Sequence, residues 1–188
     1  MVAESAEVIN TLKELIKTRA FKKTDEPSFP LSSGKKSCFY FNMKKVTYFP
    51  EGEFLIGQAV YSKIKGLNLQ PKAIGGLTMG ADPVAVATSF TSFLKNSPIE
   101  AFSIRKEPKE HGMRLQIEGN VQKGDSVIIL DDVVTTGKST IQAIEIAKKH
   151  GLNVLCAVIL VDRCEENGRQ NIESKGVKVH SIFTVHDF

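Results

Sequence analysis

VIILDDVVTTGKST, residues 127–140, is the stretch on which the reading of the fold turns. Val127 to Leu130 is a continuous apolar run of the kind a parallel sheet buries on both faces. Asp131 and Asp132 stand at the carboxyl end of that strand. The small-residue loop Thr135-Thr136-Gly137-Lys138-Ser139 follows, and a helix is predicted from near Ser139 or Thr140, with Ile141, Ile144 and Ala147 on its apolar face and Gly151 at its end. Strand, acidic pair, glycine loop and helix in this order place polar groups at the carboxyl edge of an open α/β sheet, where such folds bind ligands.

Outward from this stretch the same rhythm repeats. An apolar run ends at Ile74, GGLTMGAD (residues 75–82) reads as a loop, and a helix follows with Asp82 as its cap, Pro83 in its first turn and Val86, Phe90 and Phe93 along one face. Ile99 to Ile104, Leu155 to Val161 and Val177 to Val185 are further strand candidates. Between the first of these and residue 127 lies RKEPKEHGMRLQIEG (105–119), highly charged and broken by Pro108 and Gly112, which reads as an exposed, mobile loop. The expected class is therefore α/β, an open, mainly parallel sheet flanked by helices.

Ahead of this core, Val8, Ile9, Leu12, Leu15 and Ile16 recur at helical spacing. CFYFNMKKVTYFP (38–50) reads as two short aromatic-rich strands about a polar turn, a cap or hood. Leu55, Ile56, Ala59, Val60 and Ile64 mark a second helix that stops at Gly66. We therefore expect residues 1–50 to form a helix and a small β hood, and residues 51–188 to form the α/β core.

A chain of 188 residues with 41% apolar and 24% charged side chains is ordinary globular composition for one domain, which excludes a disordered chain. The formal charge of +4 suits an anionic small molecule as well as nucleic acid. The longest apolar stretch, Val154 to Val161, is far short of the roughly 20 residues that cross a bilayer. Glu4 and Glu7 fall where a signal peptide needs a basic start, so a cytoplasmic protein without a membrane partner is expected. Cys38, Cys156 and Cys164 form neither a CxxC pair nor a dense framework, and they read as plain thiols.

The loop at 135–139 offers hydroxyls, backbone N–H groups freed by Gly137 and the positive end of a helix, which are the parts of a phosphate cradle. It is not a P-loop, because that motif needs glycine five positions before Gly137, where this chain has Asp132. Gly75, Gly76 and Gly80 do not fit GxGxxG either. A bare Asp-Asp would do no more than end a strand, and a lone Ser139 no more than cap a helix. The whole string is more specific: carboxylates ahead of a monophosphate loop are placed to accept hydrogen bonds from sugar hydroxyls or to hold Mg²⁺ through water.

On these residues LDDVVTTGKST (130–140) resembles the phosphoribosyl-pyrophosphate motif of the type I phosphoribosyltransferases, which join a nitrogenous base to phosphoribosyl pyrophosphate with loss of diphosphate. RKEPKEHG (105–112) resembles the mobile catalytic loop of the orotate phosphoribosyltransferases. FPLSSGKKSCFYFN (29–42) resembles that family's hood, GGLTMGADP (75–83) stands where it has a second diphosphate-contacting loop, and LVDRCE (160–165) is similar to the strand-end segment whose Arg meets the orotate carboxylate.

The resemblance implies transfer of the phosphoribosyl group to N1 of orotate, giving orotidine 5′-monophosphate and diphosphate, within pyrimidine synthesis. It implies Asp131 and Asp132 on the ribose hydroxyls and, indirectly, Mg²⁺; Thr135, Thr136, Gly137, Lys138 and Ser139 on the 5′-phosphate; Arg105, Lys106, Lys109 and His111 on diphosphate, with Lys109 and His111 carrying most catalytic weight. Backbone groups near Tyr40 and Phe41 would recognise the pyrimidine edge, and Arg163 the carboxylate. It also implies a homodimer whose loop closes over the neighbouring subunit's site, and no nucleic-acid partner. Many members carry Lys where Ser32 stands and Tyr-Lys where Thr78-Met79 stands, so diphosphate would be held by backbone N–H groups of Gly76 to Gly80. The alternatives are a transferase for another base, such as a purine, or a regulator that senses phosphoribosyl pyrophosphate without catalysis.

Overall fold

The computed structural model describes residues 2–31, 34–107 and 116–188. The chain opens with α1 (Val2–Arg19), followed by β1 (Phe21–Lys23), β2 (Phe29–Pro30), β3 (Lys36–Ser37), β4 (Phe39–Phe41), α2 (Lys44–Thr47) and α3 (Pro50–Gly66). Then come β5 (Ala73–Leu77), α4 (Ala81–Leu94), β6 (Glu100–Ile104), β7 (Ile117–Gly119), β8 (Ser126–Val134), α5 (Lys138–Lys149), β9 (Asn153–Asp162), α6 (Gly168–Glu173), β10 (Val179–Thr184) and a closing 3₁₀ turn, Val185–Asp187.

Six strands form one sheet in the order β10-β9-β8-β5-β6-β7. All neighbours are parallel except β6 and β7, which are antiparallel. The expected open, mainly parallel sheet is therefore present. Successive residues of its central strands alternate between two cores, as strand geometry requires. Ile128, Leu130, Val158 and Leu160 pack with α1, α3 and α4, while Val127, Ile129, Ala157 and Ile159 pack with α5 and α6. Each is at most 1% exposed, which explains why residues 127–130 carry no polar alternation.

The connection from β5 runs through α4 to β6 on one side, and the chain then returns through β7 to lay β8 on the other side of β5. The order in which the chain adds strands reverses between the parallel neighbours β5 and β8, and a crevice opens at the carboxyl end of that pair. Pairing of β5 with β8 stops at Gly75 and Ile129, whereas β8 and β9 stay paired as far as Val134 and Asp162. Asp131 and Asp132 thus lie just past the point where β8 loses β5 as a neighbour.

Several expectations need correction. The apolar run around Ile74 does not end there: β5 continues through Gly75 and Gly76 to Leu77. A Cβ on Gly75 would fall 1.9 Å from the Phe102 carbonyl oxygen, and one on Gly76 would fall 2.2 Å from that of Leu130, so these glycines serve close strand packing and not a loop. The charged segment after β6 is not loop throughout, because β7 returns along β6 and the Arg105 N–H donates to the Gln116 carbonyl at 2.9 Å. Only the first half of 38–50 is strand. β4 pairs with β1, and α2 then turns Met43 and Val46 into the core, three residues apart on one side of a helical turn. α2 lies so close to α3 that a Cβ on Gly52 would meet the Val46 carbonyl oxygen at 2.1 Å. The second helix does reach Gly66, but the left-handed residue beyond its end is Asn68, with φ 54°.

The hood consists of the ribbons β1–β4 and β2–β3. Its aromatic residues anchor it to the body: Phe21 lies 4.8 Å from Phe41 and 5.5 Å from Phe188 between ring centres.

Candidate active site

Asp131 is 6% exposed at the crevice between β5 and β8. Its Oδ2 accepts hydrogen bonds from Ser139 Oγ and Thr140 Oγ1, both at 2.7 Å, and its Oδ1 accepts one from the Asp132 N–H at 3.1 Å. Burial, reinforced by the neighbouring charge of Asp132, pushes its pKa up to about 7 despite those donors. Asp132 Oδ1 accepts from the Val133 N–H at 2.9 Å. Burial raises this carboxyl too, opposed by its backbone hydrogen bonds and by the charge of Lys44 on α2.

Gly80 closes over the pair. A Cβ there would sit 2.7 Å from Asp132 Oδ1 and 3.4 Å from Asp131 Oδ1. Asp82 is not the cap of α4: its Oδ1 accepts from Ser103 Oγ at 2.7 Å, which ties the start of α4 to β6. The proposal that N–H groups from Gly76 to Gly80 hold diphosphate contracts accordingly. Gly76 and Leu77 belong to β5 and the Thr78 N–H donates to the Ile104 carbonyl at 2.8 Å, leaving those of Met79 and Gly80.

Beyond the acidic pair the chain reverses through Gly137, whose φ of 78° is left-handed. α5 begins at Lys138. Thr135, Gly137 and Ser139 line a cleft of about 430 Å³ together with Leu77, Lys106 and Gln142. Thr136 Oγ1 accepts from the Lys138 N–H at 3.3 Å, and the Lys138 side chain is exposed. Gln142 Nε2 donates to the Lys106 carbonyl at 3.2 Å, which holds the root of the charged loop beside the cleft. Arg105 instead pairs across the hairpin with Glu118, Nε to Oε1 at 3.2 Å. Lys109, His111 and Ser32 lie outside the described residues. A larger recess of about 700 Å³ lies at the amino ends of β5, β6 and β8, near Lys72, Glu100 and Ser126. It is on the wrong edge of the sheet for ligand binding by an open α/β fold.

Arg163 follows β9 and is buried, 7% exposed. Its Nη2 donates to the Phe39 carbonyl at 2.8 Å and to Ser37 Oγ at 3.0 Å, and lies 2.7 Å from Glu165 Oε2. Ser37 Oγ in turn donates to Glu165 Oε1 at 2.5 Å. This cluster fastens the hood to the carboxyl edge of β9, and Arg163 Nε remains buried with no hydrogen-bond partner. Tyr40 is 41% exposed and stacks on Phe29 at 5.4 Å, while the Phe41 ring is buried.

The orotate phosphoribosyltransferase of Aquifex aeolicus is 48% identical to this chain over 176 residues, covering 94% of both. The chain belongs to the orotate phosphoribosyltransferase family. No family model matches it. Among solved structures, the Mycobacterium tuberculosis orotate phosphoribosyltransferase in complex with Fe(III) dicitrate superposes with a TM-score of 0.81 at 30% identity, over 96% of this chain and 98% of that one. The same enzyme in complex with phosphoribosyl pyrophosphate gives 0.72 at 25% identity, over 98% and 91%. The family's fold is the type I phosphoribosyltransferase fold, as the motif at 130–140 had implied.

Within this orotate phosphoribosyltransferase the structure gathers Asp131, Asp132, Thr135 to Ser139 and Lys106 around one crevice, and sets Arg163 with the Phe39–Phe41 strand beside it. Sequence reading gave Gly80 only a backbone N–H for diphosphate and missed Lys44 and Gln142. Neither Lys44 nor Gln142 stands in a motif that names a role, because one acts by its charge on Asp132 and the other through the Lys106 carbonyl, both distant in sequence.

Proposed function

We propose that this orotate phosphoribosyltransferase moves the phosphoribosyl group from phosphoribosyl pyrophosphate to N1 of orotate through the residues gathered at the β5–β8 crevice. The bond from ribose C1′ to the diphosphate oxygen breaks, its electron pair leaves with diphosphate, and N1 bonds to C1′ to give orotidine 5′-monophosphate. The acidic pair directly ahead of a glycine-turned loop at the sheet's reversal point carries this reading. The ribose hydroxyls donate to Asp131 and Asp132, and the 5′-phosphate sits against Thr135 to Ser139 at the start of α5. Lys106, Arg105, Lys109 and His111 meet the negative charge that develops on diphosphate. Arg163 and the backbone near Tyr40 and Phe41 orient the base, which brings N1 within reach of C1′ and keeps water out. That the Mycobacterium tuberculosis relative was solved with phosphoribosyl pyrophosphate supports this substrate.

Mg²⁺ fits as an ion carried in by the diphosphate. Among the described residues no three His, Cys, Asp or Glu side chains converge, and two carboxylates suit an ion that keeps most of its water. When bound it neutralises charge on the departing group. Asp131 and Asp132 are the residues that would reach its water shell.

Two further parts belong to the proposal. A homodimer is supported by α4, which exposes Val86, Phe90, Phe93 and Leu94, each more than half accessible. A cytoplasmic setting accords with three free thiols, and no described helix is long and apolar enough to cross a membrane. The deciding experiment follows orotate absorbance on mixing the protein with phosphoribosyl pyrophosphate and Mg²⁺, beside uracil, the purine bases and a chelator control. Metal-dependent loss of orotate alone is expected. Turnover of another base would remove the role given to Arg163, and no turnover of any base would leave a sensing regulator.

A further inference from the structure

We propose that Asn171 on α6 is a positioning residue for the 5′-phosphate of the substrate, acting through the backbone of the 135–139 loop. The proposal rests on the assignment of that loop to the 5′-phosphate. Asn171 Nδ2 donates to the Thr136 carbonyl at 2.9 Å and to the Glu166 carbonyl at 3.2 Å. A side-chain amide has two N–H bonds, and this one spends both on backbone carbonyls of two separate segments, the phosphate loop and the segment that follows Arg163.

The bond to Thr136 has a directional consequence. The Thr136–Gly137 peptide is trans, so its N–H points opposite to its carbonyl. Holding the carbonyl toward α6 turns the Gly137 N–H away from α6, to the cleft side of the loop. α6 also abuts the loop directly. A Cβ on Gly137 would meet the Gly168 carbonyl oxygen at 2.7 Å, and one on Gly168 would meet the Thr135 carbonyl oxygen at 2.3 Å. Any displacement of α6 is therefore transmitted to the loop.

α6 is itself held firmly. Arg169 Nε pairs with the buried Asp162 at 3.1 Å, Nη1 donates to the Val179 carbonyl at 2.8 Å and Nη2 donates to Ser181 Oγ at 2.9 Å. The helix is a bracket bolted to β9 and β10 on one side, and Asn171 is the arm that holds the loop on the other. The Asn171 side chain is exposed, so its replacement opens no cavity in the core.

Ribose 5-phosphate carries only the phosphate end of the substrate, and inorganic diphosphate only the leaving-group end. Both are measured as inhibitors competing with phosphoribosyl pyrophosphate, in the parent, Asn171→Ala and Asn171→Asp, the last nearly isosteric but without the donor. Loss of these hydrogen bonds is expected to raise the ribose 5-phosphate inhibition constant and the KM for phosphoribosyl pyrophosphate about tenfold. The diphosphate constant, the saturated kcat and the melting temperature should stay near parental values. An equal rise for both inhibitors, or no rise for either, would overturn the proposal. The shift in melting temperature on adding ribose 5-phosphate, smaller in both variants than in the parent, tests the same point without turnover. A parent that binds ribose 5-phosphate but consumes no orotate would instead defeat the functional reading alone.

Discussion

Asp131 is a carboxylate in a place that favours the neutral acid. With its pKa near 7 in the fold against 3.8 ordinarily, the folded protein keeps a proton that the unfolded chain gives up as pH rises from about 4 to about 7. Below that window the group is neutral in both states and costs nothing. Across the window stability falls, and above it the full penalty, on the order of a few kcal/mol, remains. Melting curves in chelator at pH 5 and pH 8 should show the parent losing stability at the higher pH. Asp131→Asn should show a smaller loss, the remainder coming from Asp132, which is raised in the same direction. The same variant should lower kcat/KM by roughly tenfold to a hundredfold, because a ribose hydroxyl loses its charged acceptor. Arg163 makes a second prediction at this scale. Lys in its place supplies one charged point where a planar fork now donates to the Phe39 carbonyl and to Ser37 Oγ, so Arg163→Lys should raise the KM for orotate at least about tenfold, measured at saturating phosphoribosyl pyrophosphate. Asp131 and Asp132 were legible from the string around them. That Ser139 and Thr140 turn their hydroxyls onto Asp131 was not, since those side chains meet the carboxylate only once the loop has folded.

At the scale of elements, the turn between β8 and α5 is the most constrained piece. Gly137 combines a left-handed backbone with contact against α6, so Gly137→Ala should destabilise the protein by about 1–3 kcal/mol and raise the KM for phosphoribosyl pyrophosphate; denaturant titration and steady-state kinetics check the two effects separately. α1, α3, α5 and the buried strands were readable from periodicity because each buries a face that its own sequence marks, whereas α4 exposes the Val86, Phe90 and Phe93 face by which it was read. The hood was half readable. Phe39 to Phe41 announce a strand, but the partner of that strand is Phe21 to Lys23, on the far side of a turn-rich stretch, and no local pattern pairs them. Residues 43–47 carry aromatic and β-branched neighbours that favour strand, yet burial of Met43 and Val46 against α3 makes them a helical turn. The glycines of β5 looked like punctuation. Their reason is the carbonyls of Phe102 and Leu130, which belong to the strands on either side.

For the whole molecule, the exposed face of α4 and the shared-loop proposal make a joint prediction. Phe90→Glu with Phe93→Glu should halve the mass seen by light scattering and abolish turnover, since an apolar face that needs a partner cannot close around two carboxylates. Mixing the impaired Lys109→Ala and Asp131→Asn variants should raise activity to about a quarter of the parental value, because half of randomly mixed dimers are hybrids with one intact site each. No recovery would place Lys109 in its own subunit's site. The primary structure alone determined the α/β class, the position of the acidic pair and the phosphate loop, and the family, because strand burial and a glycine-turned loop impose local patterns on a continuous stretch of chain. Tertiary structure alone decided that Arg163 is buried and fastens the hood, that Gly80 covers the carboxylates, and that α6 braces the phosphate loop. These contacts join residues up to 128 positions apart, as between Ser37 and Glu165, and their meeting is set by the order of strands in the sheet.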